Sequence, residues 1–378
     1  MLVYGTRPEA IKMAPLVKAL ERSLTLNPLV VVTGQHREML DQVNELFDIR
    51  PKHDLDVIQP RQTLPQLSVR ALQGLSGLMS MEQPDVVVVQ GDTTTSFVAA
   101  LAAFYERIPV VHVEAGLRTH DRYSPYPEEI NRRLTSQAAN LHLAPTTTAR
   151  ANLLREGIAS SDVVVTGNSV IDALLDVVDR QISYTDQRLE DIQGREIVLI
   201  TSHRRESWGE PMARVAEAIS VLAGRFPEVS FVLPAHKNPI VRDVLLPPLQ
   251  KHRNVLITEP LGYAEFARLM QDSRIVLTDS GGVQEEAPSL GKPVLVMRES
   301  TERPEAVAAG TVKLVGTERD TLVESVSLLL QDTTAYDLMA NAVNPYGDGQ
   351  AARRSILAIE RYLGLSDVLV DEFNPATR

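Results

Sequence analysis

Three stretches of this chain bring carboxylates to places where chemistry could use them. The apolar run DVVVVQ (85–90) leads into GDTTTS, so Asp92 emerges at its carboxyl end with Thr93, Thr94 and Thr95 opening the next segment. The run PVVHV (109–113) leads into EAGLRT, so Glu114 emerges in the equivalent place. In SPYPEEINRR, Glu128 and Glu129 follow Pro127 at the expected start of a helix. A lone carboxylate beside threonine reads first as a helix N-cap, and an acid in a helix's first turn suits the helix dipole. Two at successive strand ends exceed what capping requires, because neighbouring strands would turn both toward one cleft. Close carboxylates drive their pKa values apart, leaving one protonated acid and one ionised base, which is what removing and returning a proton needs. A magnesium site would also want substrate phosphates against the carboxylates, and nothing in the spacing demands one.

Other segments suit an anion. GTRPEAIKMAPL (5–16) sets Arg7 and Lys12 near the start of a helix whose free N–H groups favour negative charge. TSHRRES places His203 with Arg204 and Arg205 directly after the strand IVLIT, as an anion ligand or proton donor. DSGGVQEEAPSLGKP (279–293) follows the strand RIVLT; Ser280, Gly281 and Gly282 let backbone N–H groups approach a phosphate closely. Glu286, about one helical turn on, suits the two hydroxyls of a ribose. Arg298 and Arg303 in the next loop could add cationic contacts. The eight histidines form no i, i+4 pair on an expected helix, so no zinc site is predicted.

The elements that must hold these residues are legible as short Val-, Ile- and Leu-rich runs, each followed by a stretch at helical spacing. LVY (2–4), LVVVT (29–33), DVVVVQ, PVVHV, LHLA (141–144) and VVVT (163–166) form a first set. IVLIT (197–201), VSFVLP (229–234), VLIT (255–258), RIVLT (274–278), PVLVM (293–297) and TVKLV (311–315) form a second. They are apolar throughout, as strands of a parallel sheet covered on both faces should be. The reading is α/β, two doubly wound domains: 1–170 with the acid/base carboxylates, 171–350 with the anion-binding loops, and a linker near 168–194. The segment 351–378 supplies a last helix whose Ile356, Leu357, Ile359, Tyr362 and Leu363 form an apolar face in need of a partner.

The whole composition narrows the classes. At 378 residues, 44% hydrophobic and 23% charged, the chain has ordinary globular usage, with length for two domains. It has no cysteine, which excludes disulfides and thiolate chemistry. A net charge of −11 disfavours a broad nucleic-acid footprint. No apolar run is long enough for a membrane span and the N-terminus lacks signal-peptide regions, so the expected location is the cytoplasm.

Taken together, GTRPEAIKMAPL, GDTTT, HVEAGLRT, SPYPEEINR, TSHRRES, DSGGVQEEAPSLGKPVLVMR and TERPEAV, in this order across residues 5–307, closely resemble the non-hydrolysing UDP-N-acetylglucosamine 2-epimerases of bacteria. The resemblance implies a glycosyltransferase-B type fold, two Rossmann-like domains with a cleft between them and the last helix returning to the first domain. It implies reversible conversion of UDP-GlcNAc to UDP-ManNAc, by anti elimination of UDP to 2-acetamidoglucal and re-addition after protonation from the other face. By motif, Asp92, Glu114 and Glu128 become the acid–base carboxylates, and His203 the group that stabilises or protonates departing UDP. Arg7, Lys12, Ser280, Gly281, Gly282 and Arg303 would hold the phosphates, Glu286 the ribose, Phe266 the uracil, and Arg132 would lie near sugar and diphosphate. No cofactor is implied, and no GxGxxG follows the first strand. UDP-GlcNAc is also implied as an allosteric activator, through Gln35, His36, Arg70 and His236, and the expected assembly is a homodimer. Only three residues precede Gly5 in the first strand, shorter than the family pattern, which leaves a truncated start and a misassigned one as alternatives. Competing expectations are a hydrolysing epimerase releasing ManNAc and UDP, a UDP-sugar glycosyltransferase of the same fold, and an inactive UDP-sugar sensor.

Overall fold

The computed structural model describes residues 1–34, 37–204 and 207–375. All twelve expected strands form, with a thirteenth: β1 (Leu2–Tyr4), β2 (Val30–Val32), β3 (His53–Asp54), β4 (Val87–Gln90), β5 (Val110–Val113), β6 (Leu141–Ala144), β7 (Val163–Val165), β8 (Ile197–Thr201), β9 (Ser230–Pro234), β10 (Val255–Thr258), β11 (Ile275–Thr278), β12 (Val294–Val296) and β13 (Val312–Leu314). The missed strand, β3, is two residues at a sheet edge and carries no apolar run; its backbone pairing with β2 makes it a strand.

The chain divides into two compact units, Met1–Ala173 with the chain from Tyr346 onward, and Leu174–Pro345. The first has a seven-stranded sheet in the order β3-β2-β1-β4-β5-β6-β7, the second a six-stranded sheet in the order β10-β9-β8-β11-β12-β13. Every pairing is parallel. Each sheet therefore reverses its direction of growth once, between β1 and β4 and between β8 and β11, and crevices open at the carboxyl ends of strands at such switch points. The stretch 168–194, read as linker, is largely helical: Ser169–Asp179 and Gln187–Glu190 lie in it, and the former runs through the divide.

The first helix, Arg7–Glu21, begins at a capping box. Thr6 Oγ1 accepts from Glu9 N, and the Glu9 carboxylate accepts from Thr6 N at 2.8 Å and Gly5 N at 3.0 Å. The last helix, Ala351–Tyr362, packs on this first helix and buries Ile356, Ala358 and Ile359. It begins where Asp172 accepts from Ala352 N at 2.8 Å and Ala351 N at 3.2 Å. Burial pushes the Asp172 carboxyl up to about 6, although these N–H donors favour its charged form. A carboxyl whose folded pKa lies above its unfolded value binds more protons in the fold. Its contribution is therefore fully present below about pH 4 and is lost as pH rises through about 6. Relative to wild type, Asp172→Asn should gain melting temperature steadily between pH 4 and 7, read by thermal unfolding across that range; a pH-independent difference would refute the assignment.

Candidate active site

At the first unit's switch point, two helices begin side by side. Thr93 caps the helix Thr94–Tyr105, and its hydroxyl donates to Glu9 Oε1 at 2.6 Å. This bond joins the starts of the two helices that follow β1 and β4. Burial pushes Glu9 above the ordinary carboxylate range, against its four hydrogen-bond donors. A cavity of about 420 Å³ opens here, with Lys12, Asp92, Glu114 and Glu128 in its lining. One concavity of the first unit thus collects the three carboxylates read from sequence.

Each is held differently. Asp92 is in contact with the Arg132 guanidinium, and its backbone carbonyl accepts from Asn131 Nδ2 at 3.0 Å. Burial pushes the Asp92 carboxyl up; the Arg132 cation opposes this, the Glu114 charge adds to it, and Lys12 opposes it again, with the balance upward. Glu114 has a left-handed backbone (φ 61°), a region uncommon for a residue other than glycine. Its Oε1 accepts from Lys12 Nζ at 2.5 Å and Asn168 Nδ2 at 3.2 Å, and Oε2 is in contact with Gln90 Nε2. Glu128 Oε2 is buried without a hydrogen-bond partner among the described residues. Glu129 does structural work, accepting from Thr119 N at 3.0 Å and His120 N at 3.3 Å and facing Arg132 at 3.4 Å.

Beneath these groups lies His112 on β5, fully buried. Its Nε2 is 2.7 Å from the carbonyl of Gly91, so Nε2 carries the proton and donates. Burial pushes His112 down to about 3, so it is neutral and its bond steadies the turn from which Asp92 emerges. The next glycine after Glu114 is also constrained: Gly116 has φ 95°, and a Cβ there would stand 2.3 Å from the Ala149 carbonyl oxygen.

The second unit's switch point is organised by Asp279, which follows β11. Its Oδ2 accepts from His203 N at 2.8 Å and Arg204 N at 3.0 Å, and Oδ1 is 3.0 Å from His203 Nδ1. Burial pushes Asp279 up, but the His203 side chain and these backbone donors outweigh it and hold the carboxyl below its ordinary value. His203 is thereby oriented with its ring exposed. Ser280 stands at the N-cap position of the short helix Gly281–Glu286 without a side-chain capping bond, and a Cβ on Gly281 would stand 3.6 Å from Arg204 Nη2. Glu286 is buried and accepts from Tyr263 Oη at 3.1 Å; Tyr263 opens the helix Tyr263–Asp272 that carries Phe266, which is part-exposed.

Some cations expected on phosphate are engaged with protein. Lys12 faces Glu114, Arg132 faces Asp92 and Glu129, and Arg303 faces the buried Glu285 carboxylate, which gives that glutamate the partner its sequence context did not reveal. Arg7, at the first position of its helix, is part-exposed. Of the residues expected to bind an activator, Gln35 and His36 lie outside the described residues. Arg70 donates to the Val57 carbonyl at 2.9 Å, and the ring of His236 lies 6.2 Å from that of His203. Among the described residues, no group of three or more His, Asp or Glu could hold a metal ion, and no helix is long and apolar enough to cross a membrane.

Sequence reasoning missed Gln90, His112, Asn168 and Asp279. Each stands within two residues of a strand end that it singled out, and Asp279 takes its role from the pairing of β11 with β8, which sets Thr278 beside Thr201.

Two parallel α/β units with polar clusters at their switch points define an enzyme of the glycosyltransferase-B type fold. The family model described as UDP-N-acetylglucosamine 2-epimerase matches residues 18–360, and the chain belongs to that family. The UDP-N-acetylglucosamine 2-epimerase of Escherichia coli K12 is 51% identical over 367 residues, 95% of this chain and 98% of that protein. The crystal structure of UDP-GlcNAc 2-epimerase from Neisseria meningitidis bound to UDP-GlcNAc is 48% identical, with a TM-score of 0.84 over 95% of this chain and 99% of that one. The S. aureus MnaA–UDP co-structure is 45% identical, with a TM-score of 0.89 over 99% of each chain.

Proposed function

We propose that this enzyme interconverts UDP-GlcNAc and UDP-ManNAc without net hydrolysis. The observation that carries the reading is the convergence of Asp92, Glu114, Glu128 and Lys12 on one cavity, a set that a glycosyl transfer would not need. Relatives that are 48% and 45% identical have been solved with UDP-GlcNAc and with UDP, which supports the nucleotide-sugar substrate.

In the proposed step, a carboxylate takes the C2 proton while the C1–O bond to UDP breaks. Its electron pair leaves with the β-phosphate oxygen and a C1=C2 double bond forms, giving 2-acetamidoglucal. Return of a proton to the opposite face of C2 and re-addition of UDP at C1 complete the epimerisation. The three carboxylates share proton removal and return. His203, oriented by Asp279, stabilises or protonates the departing diphosphate. Ser280, Gly281, Gly282, Arg7 and Arg303 are assigned to the phosphates, Glu286 to the ribose and Phe266 to the uracil. Lys12 and Arg132 serve the diphosphate and sugar and also hold Glu114 and Asp92 in place. Activation by UDP-GlcNAc belongs to the same proposal, resting among the described residues on Arg70 and His236.

Incubation with UDP-GlcNAc in D₂O, followed by NMR, is expected to give UDP-ManNAc carrying deuterium at C2. Release of free ManNAc would favour a hydrolysing enzyme, and the absence of any C2 exchange would exclude epimerisation.

A further inference from the structure

Asn168 occupies a junction that the proposed reaction has not yet used. It follows β7 and precedes the helix Ser169–Asp179. Its Oδ1 accepts from Val170 N at 3.1 Å, the geometry of an N-cap. That bond fixes the sense of the amide, oxygen toward the helix and nitrogen toward Glu114, whose Oε1 it reaches at 3.2 Å. The backbone N–H of Asn168 donates to the Tyr346 carbonyl at 2.7 Å, where the chain re-enters the first unit. A Cβ on Gly347 would stand 3.3 Å from the Asn168 carbonyl oxygen, so this crossing is tightly apposed. Ser169, the next residue, donates to the Lys12 carbonyl at 2.7 Å, on the helix that supplies the other partner of Glu114 Oε1.

We propose that Asn168 is a positioning residue for proton transfer: its amide, oriented by the helix cap, fixes the rotamer and the charged form of Glu114. The proposal rests on the reading of Glu114 as an acid–base group. Among the described residues, the charged groups facing Glu114 include Lys12 of the first helix and Asp92 after β4; Gln90 and His112 approach it as neutral groups. Removing the Asn168 amide takes one donor from Glu114 Oε1, and putting a carboxylate in its place sets a like charge against Glu114.

Asn168→Asp isolates this role, because aspartate caps a helix as well as asparagine does and has nearly the same shape. The expected result is a fall in kcat for C2 exchange of about 10-fold or more with KM for UDP-GlcNAc little changed. The acidic limb of the pH–rate profile should move upward by about one unit, as like-charge neighbours require. Wild-type kcat and an unmoved acidic limb would overturn the proposal, as would a loss confined to KM. Should Asn168→Asp fail to fold, Asn168→Ser keeps a capping oxygen without the amide's reach, and the same kcat and KM measurements decide. Glu114→Gln is measured alongside. If it retains C2 exchange, the reading of Glu114 fails; if it loses exchange while Asn168→Asp is unaffected, only the role of Asn168 fails.

Discussion

Asp92→Asn is expected to lower deuterium incorporation at C2 by roughly 10²–10⁴-fold, the span that one positioned acid or base contributes. The substitution preserves shape at a group clasped by Arg132 and seated on a turn that Asn131 and His112 hold from two sides. The scaffold should therefore persist, and calorimetric titration should give UDP affinity near that of wild type. In the wild-type enzyme, burial pushes the Asp92 carboxyl up, Arg132 opposes, and the neighbouring Glu114 adds to the rise. If ionised Asp92 is the base, exchange falls as pH drops through that raised value, so the acidic limb lies above the ordinary aspartate range. Near wild-type exchange in Asp92→Asn would remove Asp92 from the mechanism.

The largest effect on stability is expected at Arg354. Its guanidinium meets both Asp348 oxygens, at 2.6 and 2.8 Å, and donates to the Asp371 carbonyl at 2.7 Å; the pair is 7% and 5% exposed at its side chains. Arg354→Ala leaves a carboxylate buried beside the last helix with its cation gone. Breaking a buried pair in this way costs about 3–5 kcal/mol. At roughly 2–4 °C per kcal/mol for a unit of this size, melting should fall by about 10 °C. Thermal unfolding checks this, and a loss of only a degree or two would show that water or a neighbouring group takes over the charge. Arg354→Ala, Asp348→Asn together should recover much of the loss, since the uncompensated charge is then absent.

The sheets were legible because their central strands are buried on both faces and so read as unbroken apolar runs, and the strand ends pointed to the carboxylates. The strand His53–Asp54 was not legible, because an edge strand of two residues is made by the backbone of its neighbour rather than by its own side chains. Residues that hold the site were harder to find than residues that fill it. His112 sits inside a strand and looks like a core histidine; its meaning comes from the Gly91 carbonyl on the strand beside it. Asp279 reads as part of a glycine loop until β8 is set next to β11. Glu9 belongs to a local capping box that sequence could offer, yet its bond to Thr93 spans 84 residues. Such contacts depend on strand order, which alternation alone does not specify.

The first unit is interrupted in sequence: it opens at Met1, breaks off at Ala173 and resumes only at Tyr346. This sets the order in which the two units are completed in synthesis. The complete second unit is synthesised before Arg354 and the Ala351–Tyr362 helix exist, so it has the opportunity to fold first, while the unit that was begun earlier waits for its final helix. Until that helix is made, the face of the Arg7–Glu21 helix on which it packs lacks that cover and Asp172 has no helix start to cap. A released fragment ending at Pro345 should thus display a protease-resistant second unit joined to an amino-terminal portion that is still readily cut.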